Sequence, residues 1–306
     1  MARAHGDFAG IIHIFAFYPY LLLWKKRVGY LDFFLGLWYD KRSKKKPQTK
    51  VKRKPKGAFY RTPADLRNGE WNMLKGYKIR APYFEIGPKC FMWGERMLKL
   101  AKAVDKIAAK YDLDVIITPQ YADIRLLAEN TERIHVYAQH MDSLLPGRGL
   151  GSVLPESIKE AGAVGVMLNH AEKKLTLDEI RATIARADEV GLATIVCADT
   201  VAEIREVALL GPNLIVAEPT DLIGTGVASD MGYVRDTIAA VRAINPDIMV
   251  LQGAGISGPD DVANVIRAGA QATGCTSGVM KAKDPEAAAE EMLYTLRKTY
   301  DEVNGK

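Results

Sequence analysis

Three short runs of the sequence combine residue types that suit acid–base chemistry on a phosphorylated compound. They are LNHAE at 168–172, AEPTDLIGTG at 217–226 and GAG at 253–255. Each run lies at the end of an apolar segment that is typical of a buried strand. A histidine, a carboxylate and glycine-rich backbone at successive strand ends predict one pocket that holds an electrophile, a base and an anion cradle.

Moving a carbonyl along a short sugar chain needs a base for the neighbouring C–H proton and an electrophile for the developing enediolate oxygen. Glu218 is the candidate base, because it ends an apolar run and the rigid Pro219 follows it. His170 is the candidate electrophile, and we expect it to open a helical turn whose N-terminus lowers the histidine pKa. The alternatives are a helix-capping glutamate and a structural histidine, but Glu172, two residues after His170, favours catalysis.

Positive charge and free backbone N–H groups are predicted at further strand ends. Lys89 follows the first strand, where it is either a substrate-binding cation or a solvated lysine. Glycines let backbone N–H groups approach an anion without obstruction by a Cβ, although they also form ordinary bends. We place the phosphate at four positions: Gly224, Gly255, Thr276 and Ser277. Residues 219–226 have a rigid start and glycines near the end, as expected of a lid that excludes water.

These residues need a scaffold that brings strand ends together. From residue 83 onward, apolar strand-like runs alternate with amphipathic segments of helical period. The strand candidates are 83–87, 114–119, 134–140, 164–170, 192–198, 214–219, 248–255 and 272–278. Helical segments between them include 95–111, 177–190, 233–244 and 285–301. Continuous apolar strands suit a parallel sheet covered on both faces, and their number predicts an α/β fold of the (β/α)8 TIM-barrel type; an open doubly wound sheet is the alternative.

The net charge of +5 hides a basic first part and an acidic remainder. Residues 1–80 are rich in Lys and Arg, whereas residues 81–306 carry more acidic than basic side chains. Nothing in this acidic body predicts a nucleic-acid partner. The three cysteines, Cys90, Cys197 and Cys275, are too far apart for a zinc cluster or a disulfide framework. We therefore expect inert thiols and a cytoplasmic location.

The sequence predicts that residues 1–72 form a leader that is distinct from the isomerase-type domain assigned to residues 73–306. An uncharged, aromatic-rich run at 8–24 is followed by basic residues and, further on, by a polybasic tract at 41–57. One interpretation is a membrane tether with a polybasic stalk. The apolar run barely reaches across a bilayer, however, and Pro19 interrupts it.

The other interpretation is that the leader is translated upstream sequence or a fusion, and that the natural start is Met73. The codons of Gly69 and Glu70, shortly before this methionine, can be provided by a purine-rich ribosome-binding sequence. Mass spectrometry of the protein purified from its source decides between the two. An intact peptide that spans residues 56–73 would contradict a start at Met73.

The chain resembles the triosephosphate isomerase family, in its shorter archaeal-type branch, over residues 83–306. Blocks in matching order carry the resemblance: TPQYADIRLLAEN at 118–130, VYAQHMD at 136–142, LPESIKEAGA at 154–163, LNHAEKKL at 168–175, EPTDLIGTG at 218–226 and GAGIS at 253–257. It implies a TIM barrel that interconverts dihydroxyacetone phosphate and glyceraldehyde 3-phosphate, in glycolysis and gluconeogenesis. It also implies a homo-oligomer. Carboxylate and imidazole can carry the proton transfers, so no metal or organic cofactor is expected.

The resemblance also assigns roles to individual residues. Lys89 matches the substrate-binding lysine, His170 the electrophile and Glu218 the base. Glu172 matches a supporting carboxylate, and residues 219–226 match the closing loop. The phosphate-binding positions of the family correspond to Gly224, Gly255, Thr276 and Ser277.

Three positions depart from the family pattern at one corner of the expected pocket. Gly87 replaces an asparagine whose amide usually reaches the substrate, Leu150 replaces a threonine that usually points to the neighbouring subunit, and Ala171 replaces a serine. Loss of one donor typically removes ~2–4 kcal/mol of transition-state stabilisation, so a coordinated loss suggests a repurposed corner. The alternative functions are the same chemistry on another short phosphosugar, such as a tetrulose phosphate, and a catalytically weak regulatory relative.

Overall fold

A closed barrel of eight parallel strands forms the centre of the protein in the computed structural model, which describes residue 74 and residues 76–306. The strands are β1 (Tyr83–Ile86), β2 (Asp114–Ile117), β3 (Ile134–Ala138), β4 (Gly165–Leu168), β5 (Ala193–Ala198), β6 (Leu214–Ala217), β7 (Met249–Gln252) and β8 (Ala272–Cys275). Each strand pairs with its neighbour in sequence, and β1 pairs with β8 to close the barrel. The predicted (β/α)8 barrel is therefore confirmed, and the open sheet is wrong.

Helices follow the strands around the outside of the barrel. Those in the described part of the chain are α1 (Gly94–Lys110), α2 (Ile124–Ala128), α3 (Pro155–Glu160), α4 (Leu177–Val190), α5 (Val201–Ala208), α6 (Met231–Arg242), α7 (Pro259–Arg267), α8 (Ser277–Met280) and α9 (Pro285–Asn304). The start of α4 is fixed by a capping box, in which Thr176 accepts from the Glu179 N–H and Glu179 accepts from the Thr176 N–H.

Alternate residues of each strand face opposite sides, so the barrel has an inner and an outer core. On β1, Phe84 and Ile86 pack in the larger cluster between the strands and the helices. Tyr83 packs in the smaller cluster inside the barrel, together with inward residues of the other strands. Both faces of every strand are covered, which explains the continuous apolar character of the strand sequences.

Most strands end earlier than the apolar runs predict, whereas β5 ends at Ala198 as predicted. β7 ends at Gln252, because Ala254 and Gly255 have φ values of 59° and 70°, a left-handed conformation that cannot continue a strand. The run predicted at 272–278 likewise changes to helix at Ser277. The residues with candidate chemistry consequently lie in loops just beyond the strands.

The interpretations of the leader, residues 1–72, and of a start at Met73 lie outside the described residues. Within residues 76–306, no helix is both long enough and apolar enough to cross a membrane.

Candidate active site

The carboxyl ends of the strands surround a cavity of about 480 Å³. All the residues proposed from the sequence line it: Lys89, His170, Glu172, Glu218, Gly224, Gly255, Thr276 and Ser277. They come together from distant parts of the chain because all strands of a parallel barrel end on the same rim.

The imidazole of His170 and the carboxylate of Glu218 face each other in this cavity. His170 Nε2 lies 3.6 Å from Glu218 Oε2, and both side chains are mostly buried. On the other side of the ring, His170 Nδ1 accepts a hydrogen bond of 3.1 Å from the backbone N–H of Glu172. A neutral imidazole whose Nδ1 is an acceptor carries its proton on Nε2, so His170 presents an N–H donor to the cavity.

The His170 imidazole is held neutral by its surroundings. Burial lowers its pKa to about 4, and the nearby positive charge of Lys89 acts in the same direction. The short turn expected at His170 is present, with the Lys173 N–H donating to the His170 carbonyl at 2.8 Å, but it does not continue into a helix, since α4 begins only at Leu177. Desolvation and a neighbouring cation therefore produce the effect that the sequence attributed to a helix dipole.

The Glu218 carboxyl lies just beyond β6 and is also shielded from water. Burial raises its pKa, while Lys89 and a hydrogen bond from the Ala254 N–H act in the opposite direction. A carboxylate with a raised pKa is a stronger base than one in water, provided that it stays ionised at the working pH.

Lys89 is held at the edge of the cavity by its side chain and by its backbone. Its Nζ donates to Glu172 Oε1 at 2.8 Å, and this contact lowers the pKa of the Glu172 carboxyl. The residue has a φ of 47°, an uncommon value for a non-glycine residue. Its carbonyl oxygen accepts hydrogen bonds from Gln120 Nε2 and Gln139 Nε2, at 2.6 and 3.1 Å.

These contacts identify residues that the sequence interpretation missed. Gln120 and Gln139 hold the Lys89 peptide, and Asn169 holds the loop that carries His170. The Asn169 Nδ2 donates to the Cys197 carbonyl at 2.9 Å, and its Oδ1 accepts from the Leu175 N–H at 2.8 Å. Polar side chains at the ends of apolar strands were the available signal, but their partners are distant in sequence.

The opposite side of the cavity is formed by glycine-rich backbone. The loop between β6 and α6 contains one 3-10 turn, Thr220–Leu222, and Gly224 and Gly226 then adopt φ values of 75° and 76°. Gly255 has a φ of 70°, and a Cβ built on it would lie 1.8 Å from the carbonyl oxygen of Val227. The backbone after the loop thus passes directly over Gly255, which only glycine permits.

Glu85 is a further residue of the cavity that the sequence interpretation missed. It lies on β1, is only 8% exposed, and lines the cavity floor. Its Oε1 accepts a hydrogen bond of 2.9 Å from the Thr118 hydroxyl. Burial raises its pKa to about 8, with a further contribution from the negative charge of Glu218. A charged residue within the apolar run YFEIG was the signal that could have found it.

The three unusual positions have different surroundings. Gly87 lines the cavity, and a Cβ built on it would lie 3.1 Å from Glu85 Oε1 and 3.2 Å from Thr276 Oγ1. Leu150 is fully exposed on the loop between β3 and α3, and Ala171 lies in the turn after His170. The corner beside Gly87 is therefore occupied by the carboxyl of Glu85. Across the described part of the chain, no group of three or more His, Cys, Asp or Glu side chains is placed to hold a metal ion.

Comparison with known proteins decides the family. The family model described as Triosephosphate isomerase matches residues 88–292. The chain belongs to the triosephosphate isomerase family. As a member of this family it is an enzyme of the isomerase class.

Curated members of the triosephosphate isomerase family include similar archaeal proteins. The triosephosphate isomerase of Methanocaldococcus jannaschii is 40% identical over 203 residues, which are 65% of this chain and 92% of the relative. That of Sulfurisphaera tokodaii is 38% identical over 227 residues, 73% of this chain and 99% of the relative. That of Methanosarcina barkeri is 36% identical over 220 residues, 70% and 99% of the two chains. The resemblance to the archaeal branch is thus confirmed.

A solved triosephosphate isomerase from Bartonella henselae has the same fold. It superposes with a TM-score of 0.59 at 17% sequence identity, and the match covers 72% of this chain and 99% of the solved chain. At this level of identity the likeness supports the TIM barrel alone.

Proposed function

We propose that the protein interconverts dihydroxyacetone phosphate and glyceraldehyde 3-phosphate through an enediolate, with Glu218 as base and His170 as electrophile. One observation carries the proposal. A buried carboxylate and the Nε2–H of a neutral imidazole face each other 3.6 Å apart in a cavity large enough for a small phosphosugar. The archaeal triosephosphate isomerases that are 36–40% identical to this chain support the choice of substrate.

Glu218 takes the proton from the carbon beside the substrate carbonyl and returns it to the neighbouring carbon. Because burial raises its pKa, the carboxylate binds the proton more readily than an exposed glutamate does. The same group serves both halves of the reaction, since isomerisation moves one proton between adjacent carbons.

His170 stabilises the oxygen on which negative charge develops. Its Nε2–H donates to that oxygen, while the hydrogen bond from the Glu172 N–H to Nδ1 fixes the ring orientation and the tautomer. Burial keeps the imidazole neutral with a pKa of about 4, so the donor is present throughout the neutral range.

Lys89 supplies fixed positive charge to the anionic substrate and to the enediolate. Its ion pair with Glu172 holds the ammonium group at the cavity edge, with Nζ 2.8 Å from Oε1. The positive charge also helps to keep His170 neutral. One lysine therefore acts on the substrate directly and on the electrophile through its field.

The phosphate group is assigned to the glycine-rich side of the cavity. Four residues there would receive it: Gly224, Gly255, Thr276 and Ser277. The loops after the last two strands are the usual place of phosphate in TIM barrels. Residues 219–226 would close over the bound molecule and exclude water, as the rigid Pro219 and the two left-handed glycines allow.

A coupled assay with the purified protein tests the proposal. Rapid turnover of both triose phosphates is expected, and the absence of turnover would contradict it. A tetrulose phosphate is assayed in parallel, because the alternative of a longer phosphosugar depended on free space at Gly87. The Glu85 carboxyl lies in that space. Preferential turnover of the tetrulose phosphate would support the longer substrate instead.

We also propose a cytoplasmic location and a homo-oligomeric state, and no nucleic-acid partner. The acidic net charge of residues 81–306 argues against nucleic acid. Light scattering of the purified protein measures the oligomeric state, and a monomer at working concentrations would contradict that part of the proposal.

A further inference from the structure

The carboxyl of Glu85 lies on the cavity floor between two glycines, Gly87 and Gly274. A Cβ built on Gly87 would lie 3.1 Å from Glu85 Oε1, so a side chain there would press on the carboxyl. A Cβ on Gly274, on the neighbouring strand β8, would lie 2.9 Å from the Glu85 Cβ and 3.1 Å from Oε2. Two positions without side chains therefore frame the carboxyl.

The hydrogen bonding of this carboxyl is incomplete. Thr118 donates to Oε1 at 2.9 Å, and within residues 76–306 no side chain donates to Oε2. Buried carboxylates normally have several donors or a cation in direct contact, because burial of an unpaired charge is unfavourable. A protonated carboxyl that lines the cavity and has a single side-chain donor in the described part of the chain has hydrogen-bonding capacity left for a ligand.

The charged and titratable groups that interact with Glu85 come from several elements: Tyr83, Lys89, Cys197, Glu218 and Cys275. Burial and the negative charge of Glu218 favour the protonated acid, with a pKa of about 8, and Lys89 favours the ionised form. Burial raises the pKa of the Cys275 thiol to about 12 and that of Cys197 well above its usual range. The charge of Glu85 therefore changes near pH 8.

We propose that the protonated Glu85 carboxyl is a further substrate-contacting group, which donates a hydrogen bond from the cavity floor to an oxygen of the bound phosphosugar. The inference rests on the proposed function and adds a residue to its site. A phosphosugar offers carbonyl, hydroxyl and phosphate oxygens as acceptors, and a neutral acid can donate to any of them.

Ionisation of Glu85 would reverse the interaction. The carboxylate has no proton to donate, and it repels both the anionic substrate and the enediolate. Substrate binding and kcat/KM should therefore fall as the pH rises above about 8, by about tenfold per pH unit.

Two substitutions of Glu85 distinguish the effect of its hydrogen bond to the substrate from the effect of its ionisation. Glu85→Gln keeps the size and an N–H donor but cannot ionise, whereas Glu85→Leu removes donor and charge together. Asp188→Asn is the matched control, because burial likewise raises the pKa of the half-buried Asp188 carboxyl on α4, to about 7, but this residue lies outside the cavity. Thermal unfolding is measured for each variant at each pH.

Glu85→Gln should retain kcat/KM within roughly threefold at pH 7 and lose the alkaline decline, while wild type and Asp188→Asn keep it. Glu85→Leu should lower kcat/KM at pH 7 by roughly ten- to a hundredfold. An alkaline decline that persists in Glu85→Gln would overturn the proposal, and so would an unchanged kcat/KM in folded Glu85→Leu.

A binding measurement separates this inference from the proposed function. In the Glu218→Gln background the base is absent, so calorimetry can follow dihydroxyacetone phosphate binding without turnover. Adding Glu85→Leu should weaken this binding by roughly tenfold at pH 7, as expected for one lost hydrogen bond. Equal affinities would overturn the role of Glu85 whatever the wild-type activity is. If the wild-type protein shows no turnover, the proposed isomerisation is contradicted. Weaker binding in the double variant would in that case still support the contact between Glu85 and the phosphosugar.

Discussion

The two ends of the barrel differ in how their polar side chains are paired. At the amino end of the strands, Asp114 begins β2 and receives three hydrogen bonds from Arg80, at 2.7, 2.8 and 3.2 Å. Inside the same end, the Tyr137 hydroxyl donates to Tyr77. These polar groups find their partners within the folded chain, and their pairing stabilises it.

At the carboxyl end, burial disfavours the charged form of two carboxyls, and several residues adopt unfavourable backbone conformations. The Glu85 and Glu218 carboxyls have pKa values raised by burial, and Lys89, Asn169 and Ala254 adopt positive φ values. Such strain and desolvation persist only where the rest of the fold imposes them. The comparison indicates that one end of the barrel supports stability and that the other keeps bonding capacity for a ligand.

The sharpest test of this comparison is Glu218→Gln. Removal of the base should lower kcat by roughly 10²–10⁴-fold, and the melting temperature should stay equal or rise, because a buried charge is lost. Steady-state kinetics and calorimetric unfolding measure the two effects. Glu160→Gln, an exposed position on α3, is the matched control and should change neither. A large drop in melting temperature with normal turnover would place Glu218 with the stabilising residues instead.

His170→Gln should lower kcat/KM by roughly 10²–10³-fold, through loss of an aligned donor to the enediolate. Its pH dependence is equally specific. The pKa of His170 is about 4, so the ring is neutral in the working range. The acid decline belongs to Glu218, whose pKa is raised by burial, and activity is lost as that carboxylate is protonated. The midpoint of the acid decline should therefore be the same in wild type and variant, and a shifted midpoint would contradict the neutral imidazole.

Gly255→Ala tests the backbone contact beneath the lid. The added Cβ would overlap the Val227 carbonyl oxygen at 1.8 Å and displace the end of the loop. We expect kcat/KM to fall by roughly 10–10²-fold, since small misplacements of a substrate-binding loop have effects of this size. Gly258→Ala is the control, because its backbone is extended and no atom lies within 4 Å of the new Cβ. Equal activities of the two variants would contradict a functional role for the contact.

Arg80→Met should produce the smallest effect on catalysis. Asp114 would lose the two hydrogen bonds from the guanidinium and keep the one from the backbone N–H of residue 80. The expected loss is about 1–3 kcal/mol, at the low end because the guanidinium is half exposed. For a chain of this size, the melting temperature falls by about 2–4 °C per kcal/mol. Turnover should stay within twofold of wild type. Arg181→Met, which breaks a surface ion pair with Asp178, provides the comparison and should have almost no effect.

Much of the fold and part of the site could be predicted from the sequence. Eight apolar runs in regular alternation with helices specify the barrel, because a strand buried on both faces has few polar positions. The barrel in turn places His170 and Glu218 on one rim, as both follow a strand directly. The bounds of the strands were less predictable, since apolar residues continue into loops such as 253–255.

The site residues that the sequence did not predict were missed because their roles depend on contacts formed only in the folded chain. Continuous burial conceals which strand residues face inward, so the charge within the run YFEIG marked Glu85 as unusual but did not show that it faces the cavity. Gln120 and Gln139 act on the carbonyl of Lys89, a contact between residues far apart in sequence. The neutral state of His170 was expected from a helix terminus and arises from burial, because the turn after it does not continue into a helix.

The two glycines beside Glu85 limit the side chains that this corner of the cavity can accept. A side chain at position 274 would meet the Glu85 carbonyl oxygen at 2.6 Å and its Cβ at 2.9 Å. A side chain at position 87 would press on the carboxyl from the other side. The contacts at position 274 involve atoms that nearly every residue at position 85 carries, so Gly274 is needed whatever side chain stands there, whereas a larger residue at position 87 requires the Glu85 carboxyl and the Thr276 hydroxyl to shift by a few tenths of an ångström.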